Sequence, residues 1–117
     1  MALVISFLPE PAKAVAGMAR VVRPGGWVGT YMWDATGGGL PLQPMYDAMR
    51  GLGLTEPRAP NPEASRQEIM RDLWQRAGLE AVETRVFRIP VVFSTLDEFW
   101  HSNALEIGPV GKVLQTM

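Results

Sequence analysis

The chain has no cysteine and only one histidine among its 117 residues. A disulfide framework and a thiolate metal site are therefore excluded, and a single imidazole cannot assemble a zinc centre by itself. Neither sign of charge is in excess: eleven basic side chains stand against twelve acidic ones. The chain lacks the electrostatic pull that draws basic domains to nucleic acid or anionic lipid, so neither is expected as a partner. Apolar runs are short. The opening stretch from Met1 to Leu8 has no basic leader, is stopped by Pro9 and Pro11, and falls far below the roughly 20 residues a membrane span needs. A cytoplasmic location without membrane contact is the expectation. Internal repeats and low-complexity tracts are also missing.

What is present is ordinary for one globular domain, with 47% hydrophobic and 20% charged residues. Ten prolines and twelve glycines cluster between periodic segments and act as punctuation. Ala2, Leu3, Val4 and Ile5 form a continuous apolar run, the pattern of a strand buried on both faces. Pro9-Glu10-Pro11 then opens a helix, because proline is tolerated in the first turn where its missing N–H costs nothing. Val15, Met18, Ala19 and Val22 make one apolar stripe. The helix should end near Arg23, since Pro24 disfavours helical geometry in the residue before it and Gly25-Gly26 supply a turn. A second strand is predicted over Trp27 to Trp33. Strand, helix and strand make a βαβ unit over residues 1–34, with parallel strands and a right-handed crossover.

Residues 35–64 read as a loop and a helix. The glycine-rich stretch runs from Asp34 to Leu40, the helix spans Pro41 to Gly53 with Leu42, Met45, Tyr46 and Met49 on one side, and Thr55 to Pro62 is a proline-rich connector. Residues 65–117 read as helix, strand and helix. Ser65 and Glu68 have the spacing of a capping box. Ile69, Met70, Leu73, Trp74 and Ala77 form the buried stripe, and Gly78 is placed to close the helix in a left-handed cap. Glu80 to Phe93 alternates as a strand that Pro90 confines to an edge or a bulge. Thr95 with Glu98 repeats the capping-box spacing, and Leu96, Phe99, Trp100, Ala104 and Ile107 suit a last helix stopped by Gly108-Pro109.

Several of these segments together resemble a known family. Val4-Ile5-Ser6-Phe7, the link Pro9-Glu10-Pro11, the helix end Met18-Ala19-Arg20-Val21-Val22 with its Arg23-Pro24-Gly25-Gly26 turn, and the strand Trp27 to Trp33 are similar to the middle of class I S-adenosylmethionine-dependent methyltransferases of the small-molecule type. The segment Trp74 to Glu80 resembles the region before that family's sixth strand. The resemblance covers residues 1 to 107. It implies an α/β fold, the later half of an incomplete Rossmann-like doubly wound sheet, forming a single partial domain over 1–117.

The same resemblance implies where the site would lie. In open α/β sheets ligands sit outside the carboxyl ends of the parallel strands, here Ser6-Phe7-Leu8 and Trp33-Asp34-Ala35. Phe7 matches a family position beside the cofactor. Trp33 and Asp34 leave the strand where the family admits its methyl acceptor, and Trp100 and His101 fall on a helix that covers the acceptor pocket, where His101 could serve as a base. Each has a plainer reading: Phe7 packs on the first helix, Trp33 is a core tryptophan, Asp34 starts an Asx turn, and His101 is an inert surface residue. Tyr46 and Trp74 lie on apolar stripes and read as core.

The family's glycine-rich turn after its first strand, and the acidic residue that takes the ribose, have no counterpart here. Gly37-Gly38-Gly39 follows a strand but precedes Pro41, so it lacks the strand-to-helix context of a nucleotide loop. The chain by itself is therefore expected to bind no cofactor and no metal, although the parent family uses S-adenosylmethionine. An apolar strand at the start presents an unpaired edge, and such edges recruit partners, so a homodimer formed through it and through the tryptophan-rich apolar faces is expected. The competing reading is a non-catalytic dimerisation or interaction module derived from a methyltransferase.

Overall fold

The tracts expected to be parallel strands do not build a sheet in the computed structural model, which describes residues 1–105 and 108–117. Among the described residues the regular structure is five α-helices and two short 3-10 helices: α1 Pro11–Val21, α2 Gln43–Gly51, α3 Gln67–Arg76, α4 Leu96–Asn103 and α5 Pro109–Leu114, with 3-10 helices at Ile5–Phe7 and Pro62–Ser65. The α/β, Rossmann-like expectation is thereby overturned. Residues 1–3 and 29–31 do lie side by side in parallel, but they meet in one isolated bridge, Ala2 to Tyr31. The Leu3 N–H donates to the Tyr31 carbonyl at 2.9 Å, and the Met1 ammonium donates to the Gly29 carbonyl at 2.9 Å.

The reason the pairing stops is local. Leu3 takes a left-handed conformation, φ 54°, which carries a side chain only at a cost and turns the chain away from its neighbour. Beyond it the backbone satisfies itself: the Phe7 N–H donates to the Val4 carbonyl at 2.8 Å and the Leu8 N–H to Ile5 at 3.3 Å. The apolar run from Ala2 to Ile5 thus ends in a 3-10 turn. The third expected strand fails likewise. Ala81 has φ 52°, and from Val82 to Phe93 the chain runs without helix, turn or bend. Among the described residues this tract makes no backbone-to-backbone hydrogen bond.

The chain divides into two compact units. The first comprises Met1–Leu40 with Ala59–Phe87. Ile5, Val15, Ala64 and Trp74 are its buried core, with Met18, Val28, Met32, Met70 and Val82 packed against them. Trp74 is 7% exposed, and its indole N–H donates to the Val28 carbonyl at 2.9 Å. The expected tract from Trp27 is thus fastened to α3 by a side chain instead of by a neighbouring strand. The second unit comprises Pro41–Arg58 with Arg88–Met117. Its core is Met45, Met49 and Val110, bordered by Leu42, Tyr46, Leu54, Phe99 and Val113, and Phe93 meets Phe99 edge to face at 5.2 Å between ring centres.

Helix punctuation follows the sequence in most places. Arg23-Pro24-Gly25-Gly26 closes as a turn in which Gly25 takes φ 78° and the Gly26 N–H donates to the Arg23 carbonyl at 2.9 Å, the type II pattern with proline second and glycine third. α1 stops two residues earlier than Arg23. Gly78, at φ 84°, ends α3: its N–H reaches the Gln75 carbonyl and the Leu79 N–H reaches Trp74, the paired bonds of a Schellman cap.

The two capping boxes differ. Thr95 caps α4 by accepting from the Glu98 N–H at 3.1 Å, while the Glu98 carboxylate accepts from the Ser94 N–H at 2.7 Å, one residue upstream of the usual position. The Ser65–Glu68 box does not form, since Arg66 is the residue at the start of α3 and the Ser65 hydroxyl is engaged elsewhere. α4 ends at Asn103, and Pro109 begins α5 instead of stopping its predecessor. Ile107, expected on the last helix stripe, lies outside the described residues. No described helix is long and apolar enough to cross a membrane.

Candidate functional site

The first unit gathers the ends of the two expected strands around the 3-10 helix Pro62–Ser65. The Asn61 N–H donates to the Ser6 carbonyl at 2.9 Å, and the Asn61 side-chain amide donates to the Leu8 carbonyl. The Ser65 hydroxyl donates to the Pro62 carbonyl at 2.7 Å and accepts from the Ala35 N–H at 3.2 Å. Asn61 therefore holds Ser6 to Leu8 from one side of this helix, and Ser65 holds the loop after Asp34 from the other. Neither role was visible in the sequence. The Asn61-Pro62 dipeptide marks a turn, but its distant acceptors do not follow from local pattern.

Ser6 is fully buried, and its hydroxyl has no hydrogen-bond partner among the described residues; the Thr30 hydroxyl shares that condition. An unpartnered buried hydroxyl is costly. Phe7, the expected cofactor-side residue, is 58% exposed. Trp33 is half-buried and Asp34 exposed.

Asp34 closes the loop from within: its carboxylate accepts from the Gly37 N–H, three residues on, at 2.9 Å, and its carbonyl accepts from the Gly39 N–H at 2.9 Å; the bond to Gly37 reaches one residue further than an Asx turn. A Cβ at Gly37 would collide with that carboxylate. The glycines thus fold over Asp34 itself, and the loop is filled from within.

Trp100 and His101 belong to the second unit, on α4, which buries none of its residues. The His101 ring donates from Nδ1 to the Asp97 carbonyl at 2.7 Å, one turn back. Elsewhere in that unit Glu56 accepts from the guanidinium of Arg58 at 2.7 Å and from that of Arg50 at 3.1 Å. The hydrogen bond from Arg58, joined by Arg50, holds its carboxyl below the ordinary carboxylate range although partial burial opposes this. Burial first and the Glu56 charge second push the Tyr46 hydroxyl above its usual value. Trp74 is a core residue of its unit, as its stripe predicts, whereas Tyr46 is half-buried at the border of the second core.

The first unit also carries an open groove of about 320 Å³ lined by Met1, Met18, Val21, Val22, Trp27 and Val28. Trp27 on its rim is 91% exposed. No cluster of three or more metal-ligating side chains exists among the described residues. Comparison of the chain with protein-family models, with curated proteins and with solved structures yields no match.

The loop Gly37-Gly38-Gly39 is not an open nucleotide cradle. A nucleoside site needs glycines that leave backbone N–H groups open to the ligand and an acid free for the ribose. Here the glycine loop is closed on Asp34, and that acid is spent on the loop.

Proposed function

We propose that this chain corresponds to the later part of a small-molecule methyltransferase domain and that, by itself, it acts as an association module and not as a catalyst. The family assignment rests on the resemblance of residues 1–107 and is supported by the turn at Arg23-Pro24-Gly25-Gly26, which the shared motif calls for. The observation that carries association is a tract of main chain without backbone partners among the described residues. In the first unit it bears Val86 and Phe87, which are 67% and 77% exposed. Unpaired main chain flanked by apolar side chains is a template for another chain.

In the parent activity Phe7 would lie on the cofactor side, and Trp33, Asp34, Trp100 and His101 on the acceptor side; the exposure of Phe7 is the structural support for its part. Titration calorimetry with S-adenosylmethionine, run beside sedimentation velocity, tests the proposal. Expected are no binding heat up to millimolar cofactor and a concentration-dependent dimer. Micromolar binding by the chain would refute the non-catalytic assignment, and a monomer at every concentration would refute association.

A further inference from the structure

The tract that leaves α3 carries a charge pattern complementary to itself. Glu80, Glu83, Arg85 and Arg88 are placed symmetrically about Thr84, acids on one side and bases on the other. We propose that residues 82–86 pair antiparallel with the same residues of a second copy, about a two-fold axis passing between the two Thr84 residues. This rests on the association proposed above and specifies its partner and register; it does not depend on the methyltransferase assignment.

In that register every residue faces its mirror position. Glu83 stands opposite Arg85 of the second copy, and Arg85 opposite its Glu83, which gives two opposite-charge cross-strand pairs, each a favourable contact. Thr84 faces Thr84. Val86, exposed in the single chain, is set beside the half-buried Val82 of the other copy, which packs on its own core.

Other registers lose this. Sliding one copy by two residues sets Glu83 against Glu83 or Arg85 against Arg85, and like charges directly opposed are destabilising. Sliding by one residue leaves all four charges without an opposite partner and moves each side chain to the other face. The tract is also bounded: the left-handed Ala81 ends the straight run on one side, and Pro90 supplies no N–H beyond the other.

A lone two-stranded ribbon is marginal in water, but each strand here is anchored to its own unit. Val82 packs on the core, and the Arg71 guanidinium donates to the Thr84 hydroxyl at 2.9 Å. Glu83 and Arg85 are exposed, so their charges can be exchanged without disturbing the core.

The test is a charge swap in the full chain, read by sedimentation equilibrium with circular dichroism confirming the fold. Glu83→Arg and Arg85→Glu should each weaken the dimer by about tenfold or more, since two attractive pairs become repulsive in each. An equimolar mixture of the two variants should form a heterodimer, and the double variant should recover the original affinity. Independently, Thr84→Cys places one thiol at the axis of a cysteine-free chain and should oxidise to a linked dimer. Phe87→Cys, three residues from the axis and so about 20 Å from its mate, should not. A dimer indifferent to both single reversals, or linked equally well through either cysteine, overturns the register while leaving association standing. A strictly monomeric chain overturns both.

Discussion

Replacing Trp74 tests the packing that replaces a sheet in the first unit. Its ring is nearly fully covered, lies in the core with Ile5, Val15 and Ala64, and donates its indole N–H to the Val28 carbonyl. Two losses can therefore be separated. Trp74→Phe keeps an aromatic ring but leaves the Val28 carbonyl without that donor and a small void beside it, which costs about 1–3 kcal/mol. Trp74→Ala removes the ring as well and costs about 3–5 kcal/mol. Against a total stability on the order of 5–15 kcal/mol, the alanine variant loses a large share of it and the phenylalanine variant stays folded.

Urea unfolding followed by far-ultraviolet circular dichroism measures both, and Trp27→Ala is the internal control because that ring is 91% exposed. The control should stay within about 0.5 kcal/mol of the parent. If Trp74→Ala cost no more than Trp27→Ala, Trp74 would not be a core residue. If Trp74→Phe were neutral, the bond to Val28 would not hold the tract after Trp27.

Removing the unpartnered hydroxyl at Ser6 by Ser6→Ala should raise stability by about 1 kcal/mol, because the alcohol is buried without a bond among the described residues; a lower urea midpoint would reveal a partner. Thr95→Ala removes the acceptor that caps α4 and should cost about 1 kcal/mol, seen as a lower melting temperature, whereas Thr95→Ser should retain most of it. The carboxyl of Glu56 is held below its ordinary range by Arg58 and Arg50. Its contribution is thus fully present above the carboxyl value of the unfolded chain and is lost as pH falls through the lower folded value. Urea midpoints should decline on acidification toward pH 3 less steeply in Glu56→Gln than in the parent, and equal slopes would contradict the direction of the shift.

Elements set by neighbours in sequence were readable from it. Proline at the start of α1, the Arg-Pro-Gly-Gly reversal, the glycine that ends α3 and the Thr95 cap all depend on φ preferences and on bonds spanning four or five residues. Amphipathic spacing likewise placed Met45 and Met49, and Trp74, on buried faces. The strands were not readable, because a buried apolar run such as Ala2 to Ile5 has the same pattern whether or not neighbouring strands exist to pair with it. Positive φ at Leu3 and Ala81, two residues with no local reason to adopt it, broke those runs. At the candidate site a side-chain bond from Asp34 into its own loop was readable as a local turn, although the bond reaches Gly37, one residue beyond an Asx turn. The parts of Asn61 and Ser65 were not, since the distant groups they join lie 30 to 55 residues away.

Composition and local pattern alone settle that this chain has no disulfide, no thiolate metal site and no strong charge bias, and they place most of its helices and turns. Those properties depend on residue chemistry and on short-range geometry, which any segment carries with it. Whether apolar tracts become a sheet, which hydroxyl is left buried without a partner, and whether a glycine loop opens to a ligand or closes on its own aspartate depend on contacts between distant segments. Such contacts exist only once the chain has folded, and here they favour packed helices joined by unpaired main chain.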